Sequence, residues 1–182
     1  MDKKYELIET DCKSFRIKAL KDFQLITGEI VKKGDLGGVV NGEHNLSQEG
    51  NCWIEFEAVV YQKAKVVDNA VLKDYSWAFG NSTVSGNAVM KDNSIAFDNS
   101  TVSGNAVMKD YSCAVGNSII TGNAILQEDQ CIKYGTVTTD LLGTKDWAGA
   151  LYAELGVSPQ NNKIVLYKKV WSTKDQDIFE SD

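Results

Sequence analysis

Proline, arginine and histidine are nearly missing from this chain: its 182 residues hold one of each, Pro159, Arg16 and His44. A single proline suits a chain made mostly of backbone ladder, because proline removes a ladder donor. One arginine and a net charge of −6 leave no basic surface for phosphates, which argues against direct nucleic-acid binding. One histidine leaves little material for acid–base chemistry. The four cysteines, Cys12, Cys52, Cys113 and Cys131, lack the C-x-x-C spacing of a metal site. They are expected to be reduced thiols, and no metal or cofactor is expected. No apolar run reaches membrane length, and the N-terminal MDKKYELIE is polar, without a secretory leader. The expected location is therefore cytoplasmic. The length fits one domain with small appendages.

What is abundant is repetition. Residues 81–92 read NSTVSGNAVMKD, and residues 99–110 read the same, an offset of 18. A fixed self-similar period sets the architecture before any local propensity. Within it lies a period of six: Val60, Val66, Leu72, Ala78, Val84 and Met90 begin an aliphatic series that runs to Leu126. Four residues after each comes a small residue, from Ala64 and Ala70 to Ser118 and Ala124, and the series lapses at Gln130. Side chains alternate across a strand, so the even positions must face inward. Gly-Asn, Asp-Asn and Asp-Tyr pairs mark corners, where the left-handed backbone conformation is needed. Three six-residue sides make an 18-residue triangular coil.

This spacing resembles the hexapeptide-repeat family over about 80 residues, Ile54 to Ile132. The resemblance implies an all-β fold, a left-handed parallel β-helix. Its hand follows from the resemblance alone, since the general rule for parallel crossovers points the other way. A second resemblance lies in Lys32–Gly38, Asn45–Ser47 and Gly50–Ile54. These segments are similar to the lead-in of hexapeptide-repeat proteins encoded by phages and prophages.

Three regions are expected. Residues 1–50 form a small N-terminal β-cap and lead-in, with strands at Tyr5–Ile8 and Phe15–Leu20 and a turn at Lys33–Gly38. Residues 51–134 form about four and a half coils. Residues 135–182 form a helix-plus-strand appendage: Thr144–Leu155 has a cap residue, helical spacing of Trp147, Leu151 and Leu155, and a Gly156 stop. Lys163–Trp171 alternates as a strand, and an acidic tail follows.

The outward, odd-numbered residues make three unlike sides. One shows Thr83, Ser85, Thr101, Ser103 and Thr121, and the second shows Val71, Val89, Val107 and Ile125 beside Lys73, Lys91 and Lys109. The third shows Val59, Tyr61, Trp77, Phe79, Ile95, Phe97, Cys113 and Val115, with no charge among them. An apolar patch of this extent marks an interface. Self-association into a trimer or dimer, common in the resembled family, or partner binding is expected; cover by the C-terminal segment is the alternative. The corner column Asp74, Asp92 and Asp110 reads as turn capping. Cation binding or mimicry of a phosphate backbone is its alternative.

The phage resemblance and the scarcity of catalytic residues imply a non-enzymatic binder that disarms a host defence. Some phage proteins of this build resemble anti-CRISPR inhibitors of Cas9-type nucleases. The expectation is stoichiometric protein–protein binding to such a guided nuclease in the host bacterial cytoplasm. One alternative is a sponge for a signalling nucleotide at grooves between subunits, which the shortage of arginine disfavours. The other is a hexapeptide-repeat acyltransferase with His44 as general base. Only Glu43 neighbours that histidine, and no loop interrupts residues 54–132.

Overall fold

The computed structural model describes residues 3–10 and 13–138, together with the backbone of Tyr152–Glu154. The chain is a left-handed parallel β-helix of about six coils. Two-residue strands lie on three sheets, and each strand pairs in parallel with the strand 18 residues on, as in Trp77↔Ile95 and Val89↔Val107. The ladder runs from coil to coil: the Trp77 amide donates to the Ser94 carbonyl at 3.0 Å, and the Ile95 amide to Ser112 at 3.0 Å.

The six-residue series is the core. Val60, Val66, Leu72, Val84, Met90, Val102, Met108, Ile120 and Leu126 are all 0 % exposed, as are the small residues from Ala64 to Ala124. The interior is thin, so each coil holds three aliphatic side chains at the strands and three small ones toward the corners. Ser76, Ser82, Ser94, Ser100, Ser112 and Ser118 fill small positions, and their buried hydroxyls have no protein partner.

The corners take the backbone conformation that their residue types foretell. Gly86, Gly104 and Gly122 stack with φ of 65°, 68° and 66°, and a Cβ at Gly104 would lie 2.8 Å from the Gly122 nitrogen. Beside them Asn69, Asn87, Asn105 and Asn123 form an amide ladder, each Nδ2 donating to the next Oδ1 at 3.0–3.1 Å. Asn81, Asn99 and Asn117 form a second.

The cap is joined to the coil. Strand β1 (Tyr5–Glu9) pairs antiparallel with β2 (Phe15–Ala19), and β2 pairs antiparallel with β5 (Leu36–Val40). Strand β5 then pairs in parallel with Val59–Val60, so the cap and one face of the helix form a single nine-stranded sheet. The first coil thus begins at Leu36, inside the expected cap, and closes through the Leu46↔Val66 bridge and the strand Trp53–Ile54. The coil count rises accordingly from the expected four and a half. Between β2 and β5, a hairpin of β3 (Phe23–Gln24) and β4 (Ile30–Val31) folds outward over the second side, the one that carries Val71 and Lys73. Phe23 meets Trp53 edge-on at 5.4 Å, and Trp53 and Val71 are buried at 3 % and 0 %. Val71 was expected to face outward; it does leave the coil, and the hairpin covers it. Lys4 plugs the open end, its ammonium donating to the Glu49, Gly50 and Cys52 carbonyls at 2.9–3.3 Å.

One expectation is corrected, and another falls almost wholly outside the described residues. Cys113 and Cys131 are joined as a disulfide, against the expected reduced thiols. The 18-residue register stacks them in adjacent strands with Cα atoms 4.4 Å apart, so neighbours that look remote in sequence are directly opposed. Cys52 is a buried free thiol, and Cys12 lies outside the described residues. Of the expected helix Thr144–Leu155, only Tyr152–Glu154 is described, and it is a strand paired in parallel with Cys131–Tyr134. The rest of that helix, the strand Lys163–Trp171 and the acidic tail lie outside the described residues.

Gly38 shows how tightly cap and coil fit, since a Cβ there would overlap Ile54 Cγ2 and the Ala58 carbonyl. Gly38→Ala is expected to cost about 3 kcal/mol, measured by chemical denaturation. A cost below roughly 1 kcal/mol would show that the junction is loose.

Candidate functional site

The uncharged side of the helix lies on the nine-stranded sheet. The register aligns Val39, Val59, Trp77, Ile95, Cys113 and Cys131 in one column. Two residues on from the first of these coil strands, Tyr61 opens a second column with Phe79, Phe97 and Val115. These columns arise because each outward odd position repeats at 18 with no selection for burial inside the coil. The parallel stack then sets their side chains about 4.8 Å apart, close enough for aromatic contact. Phe79 and Phe97 stack at 4.3 Å with 27° between their planes.

Trp77 is 49 % exposed, while the other seven expected interface residues are half-buried by their neighbours in the ladder. A groove of about 340 Å³ opens against Val59, Tyr61, Gln62, Trp77, Ala78 and Phe79. The structure therefore brings together all eight of those side chains: Val59, Tyr61, Trp77, Phe79, Ile95, Phe97, Cys113 and Val115. Cys113 differs from expectation in being tied to Cys131, which adds a flat, neutral disulfide to the strip. Such a strip presents mainly apolar area for burial.

The other candidates are placed elsewhere. His44 sits in a single helical turn, Glu43–Asn45, ahead of the second coil. Its Nε2 donates to the Gln62 carbonyl at 2.7 Å, so the ring fastens the lead-in to a corner. Glu43 is paired with Lys3 at 2.8 Å and does not orient the imidazole. Asp74, Asp92 and Asp110 adopt φ of 52°, 58° and 57° at one corner. The Asp92 amide donates to the Asp74 carboxylate, Asp110 to Asp92 and Glu128 to Asp110, at 3.0–3.1 Å. Each carboxylate caps the following coil, which is the corner role expected of it. Among the described residues no cluster of three potential ligands is placed to hold a metal ion. The Thr/Ser side carries one hydroxyl pair, Ser103 donating to Thr121 at 2.9 Å, and Ile119 interrupts its column at 40 % exposure.

Sequence reasoning missed the hairpin that lies on the side of Val71 and Lys73. Its signal was the pair of apolar dipeptides, Ile26 and Leu25 before a Gly28 turn and Ile30 and Val31 after it. No protein-family model and no curated protein matches this chain.

If the acidic corner is a cap, shape and acceptor matter more than charge. Asp92→Ala removes the bond to the Asp110 amide and leaves an alanine at positive φ, an expected loss of about 2 kcal/mol. Asp92→Asn keeps an acceptor and tolerates that conformation, so its loss is expected to stay below about 0.5 kcal/mol. Urea denaturation of both variants checks the contrast; equal losses would return the column to a charge-based role.

Proposed function

We propose that this chain is a non-enzymatic binding protein that works, as a homo-oligomer assembled through its aromatic sheet, by occupying a partner. The observation that carries this reading is the uncharged strip around Trp77 and its groove, on a scaffold that cannot readily deform. A rigid face with clustered aromatics meets the usual demands of an interface core, because little conformational entropy is lost on binding. The strip spans about five coil spacings, about 24 Å, which suits one side of a standard interface. Copies of this chain meeting through the same face form a homo-oligomer, a trimer or dimer.

The target in this reading is a host-defence nuclease of the guided, Cas9 type, met in the host bacterial cytoplasm. The similarity of Lys32–Gly38 and Gly50–Ile54 to phage lead-ins supports it, as does the net charge of −6. An acidic partner is steered toward a basic channel, and charge complementarity speeds encounter more than it deepens affinity. Inhibition is then stoichiometric, without turnover. One observation pulls against the cytoplasm: paired cysteines such as Cys113 and Cys131 are rare there. A thiol titration on freshly lysed cells reads their state in place. Among the described residues no helix is long and apolar enough to cross a membrane.

Replacing Trp77 and Phe97 together by Glu is expected to lower the mass seen by light scattering, because a carboxylate is costly to desolvate in an interface. An unchanged mass with an unchanged melting temperature would sink the docking face. Titrating target cleavage by guided nucleases against the protein is expected to saturate near one functional oligomer per nuclease. The inhibition should weaken with salt, since exposed charges are screened over about 8–10 Å at physiological ionic strength. His44→Ala is expected to leave it intact. Full cleavage at large molar excess, across several such nucleases, rejects this target.

A further inference from the structure

The cap carries a second surface, remote in kind from the aromatic strip. Ile30, Leu36 and Phe56 are large apolar side chains exposed at 56 %, 45 % and 47 %. They gather around one cleft of about 340 Å³ between the β3–β4 hairpin and the first coils. Leu25, Val31 and Trp53, all nearly buried, complete its apolar lining. Glu29, Asp35 and Glu55 also line it. Apolar side chains left half in water beside carboxylates are an uncommon pairing, and each half limits the ligand.

The charges here do not balance. Lys73 bonds Glu29 and lies 3.4 Å from Glu55, so one ammonium serves two carboxylates. Lys32 turns to Asp22 at 3.1 Å, and Arg16 gives its Nη1 to the Gly37 and Phe56 carbonyls at 2.7 and 2.8 Å. The Asp35 Oδ2 accepts only the Lys32 amide, at 2.7 Å, and among the described residues no cation pairs with Asp35. Burial pushes the Glu55 carboxyl up, with Lys73 opposing it. Three carboxylates face the Lys73 ammonium and the Arg16 guanidinium, which stacks 3.8 Å from the Phe56 ring centroid, so the cleft is one positive charge short, at Asp35. Anionic and purely apolar ligands are therefore disfavoured, the first by repulsion and the second by the exposed carboxylates it would strip of water.

We propose that this cleft binds a cationic amphipathic segment of a partner protein, an arginine or lysine flanked by aliphatic residues. The head group pairs with Asp35 at the rim. The aliphatic stem lies along Leu36, beside the Phe56 ring that Arg16 already covers on one face, as long basic side chains do over apolar surface. A flanking aliphatic residue covers Ile30. Lys73 shows the same chemistry within the chain, a cation held between carboxylates at the edge of an apolar floor.

The test uses the full-length, isotope-labelled chain and two peptides, acetyl-Leu-Arg-Leu-amide and its citrulline counterpart, which keeps the shape and loses the charge. Nuclear magnetic resonance titration is expected to shift amides in residues 28–36 and 53–57 with the arginine peptide. The citrulline peptide is expected to bind roughly threefold or more weakly, the scale of one exposed charge pair. Asp35→Asn, which keeps an acceptor for the Lys32 amide, and Leu36→Ser, at an exposed position, should each weaken binding by a similar factor. Their unchanged spectra elsewhere establish folding, and either variant alone suffices. Equal binding of the two peptides overturns the proposal. So do shifts confined to the aromatic sheet, or no shift at millimolar peptide. Loss of the docking face by Trp77→Glu leaves this readout untouched, so the two readings fail separately.

Discussion

The stacking of one coil on the next, 18 residues later and in register, is the constraint on which everything else here depends. It satisfies the strand amides along the helix through bonds such as Trp77 to Ser94 and Asn87 to Gly104. It also fixes what may stand inside. The triangle is too narrow for two large residues per side, so each side alternates one aliphatic residue with Ala or Ser. An extra residue anywhere in a side would rotate all later side chains between inside and outside. Composition follows from this: one proline, because proline would cut the ladder, and glycine or aspartate at most corners, with Gln62 and Glu128 at two others, because the turn needs a left-handed residue.

The same constraint builds the surfaces. Once positions 18 apart are neighbours, any outward residue that recurs becomes a column. Asparagine columns bond to themselves, aspartate columns cap the next coil, and aromatic columns stack. The last of these leaves a strip with apolar area exposed and little polar demand. Catalysis asks for unlike groups brought to one point, and a stack of like groups is a poor way to achieve that. His44, the one imidazole, is spent on holding the lead-in to the Gln62 corner.

Cap and coil answer the problem of the open end. The first coil would otherwise expose core and carbonyls. Strands β1 and β2 extend one sheet past it, Lys4 takes three carbonyls, and Tyr5 donates its hydroxyl to Leu46 at 2.5 Å. Burial pushes the Tyr5 phenol well above its usual range and pulls the Lys4 ammonium down. The β3–β4 hairpin then covers Val71 and Trp53 but leaves Ile30 and Leu36 half in water, and the acidic cleft is what remains between them.

The sequence by itself determined the period, the inward series from Val60 to Leu126, the corners and the membership of the aromatic side. These are properties of a coil and its immediate neighbours, and a repeat makes the neighbour readable as the residue 18 places on. The same reasoning reached Asp74, Asp92 and Asp110 as caps. It did not reach the Cys113–Cys131 pair, although that pair obeys the same offset, because cysteine was judged by metal spacing and compartment and not by register. Only the tertiary structure decided where the helix begins, since β5 joins the stack without the hexad signature. Only it decided which outward residues are covered, for Val71 and Val89 are equivalent in sequence and the hairpin reaches just the first. The physical reason is range: packing inside a coil stack is set by neighbours one turn away, whereas the cap is placed by contacts with no period to announce them.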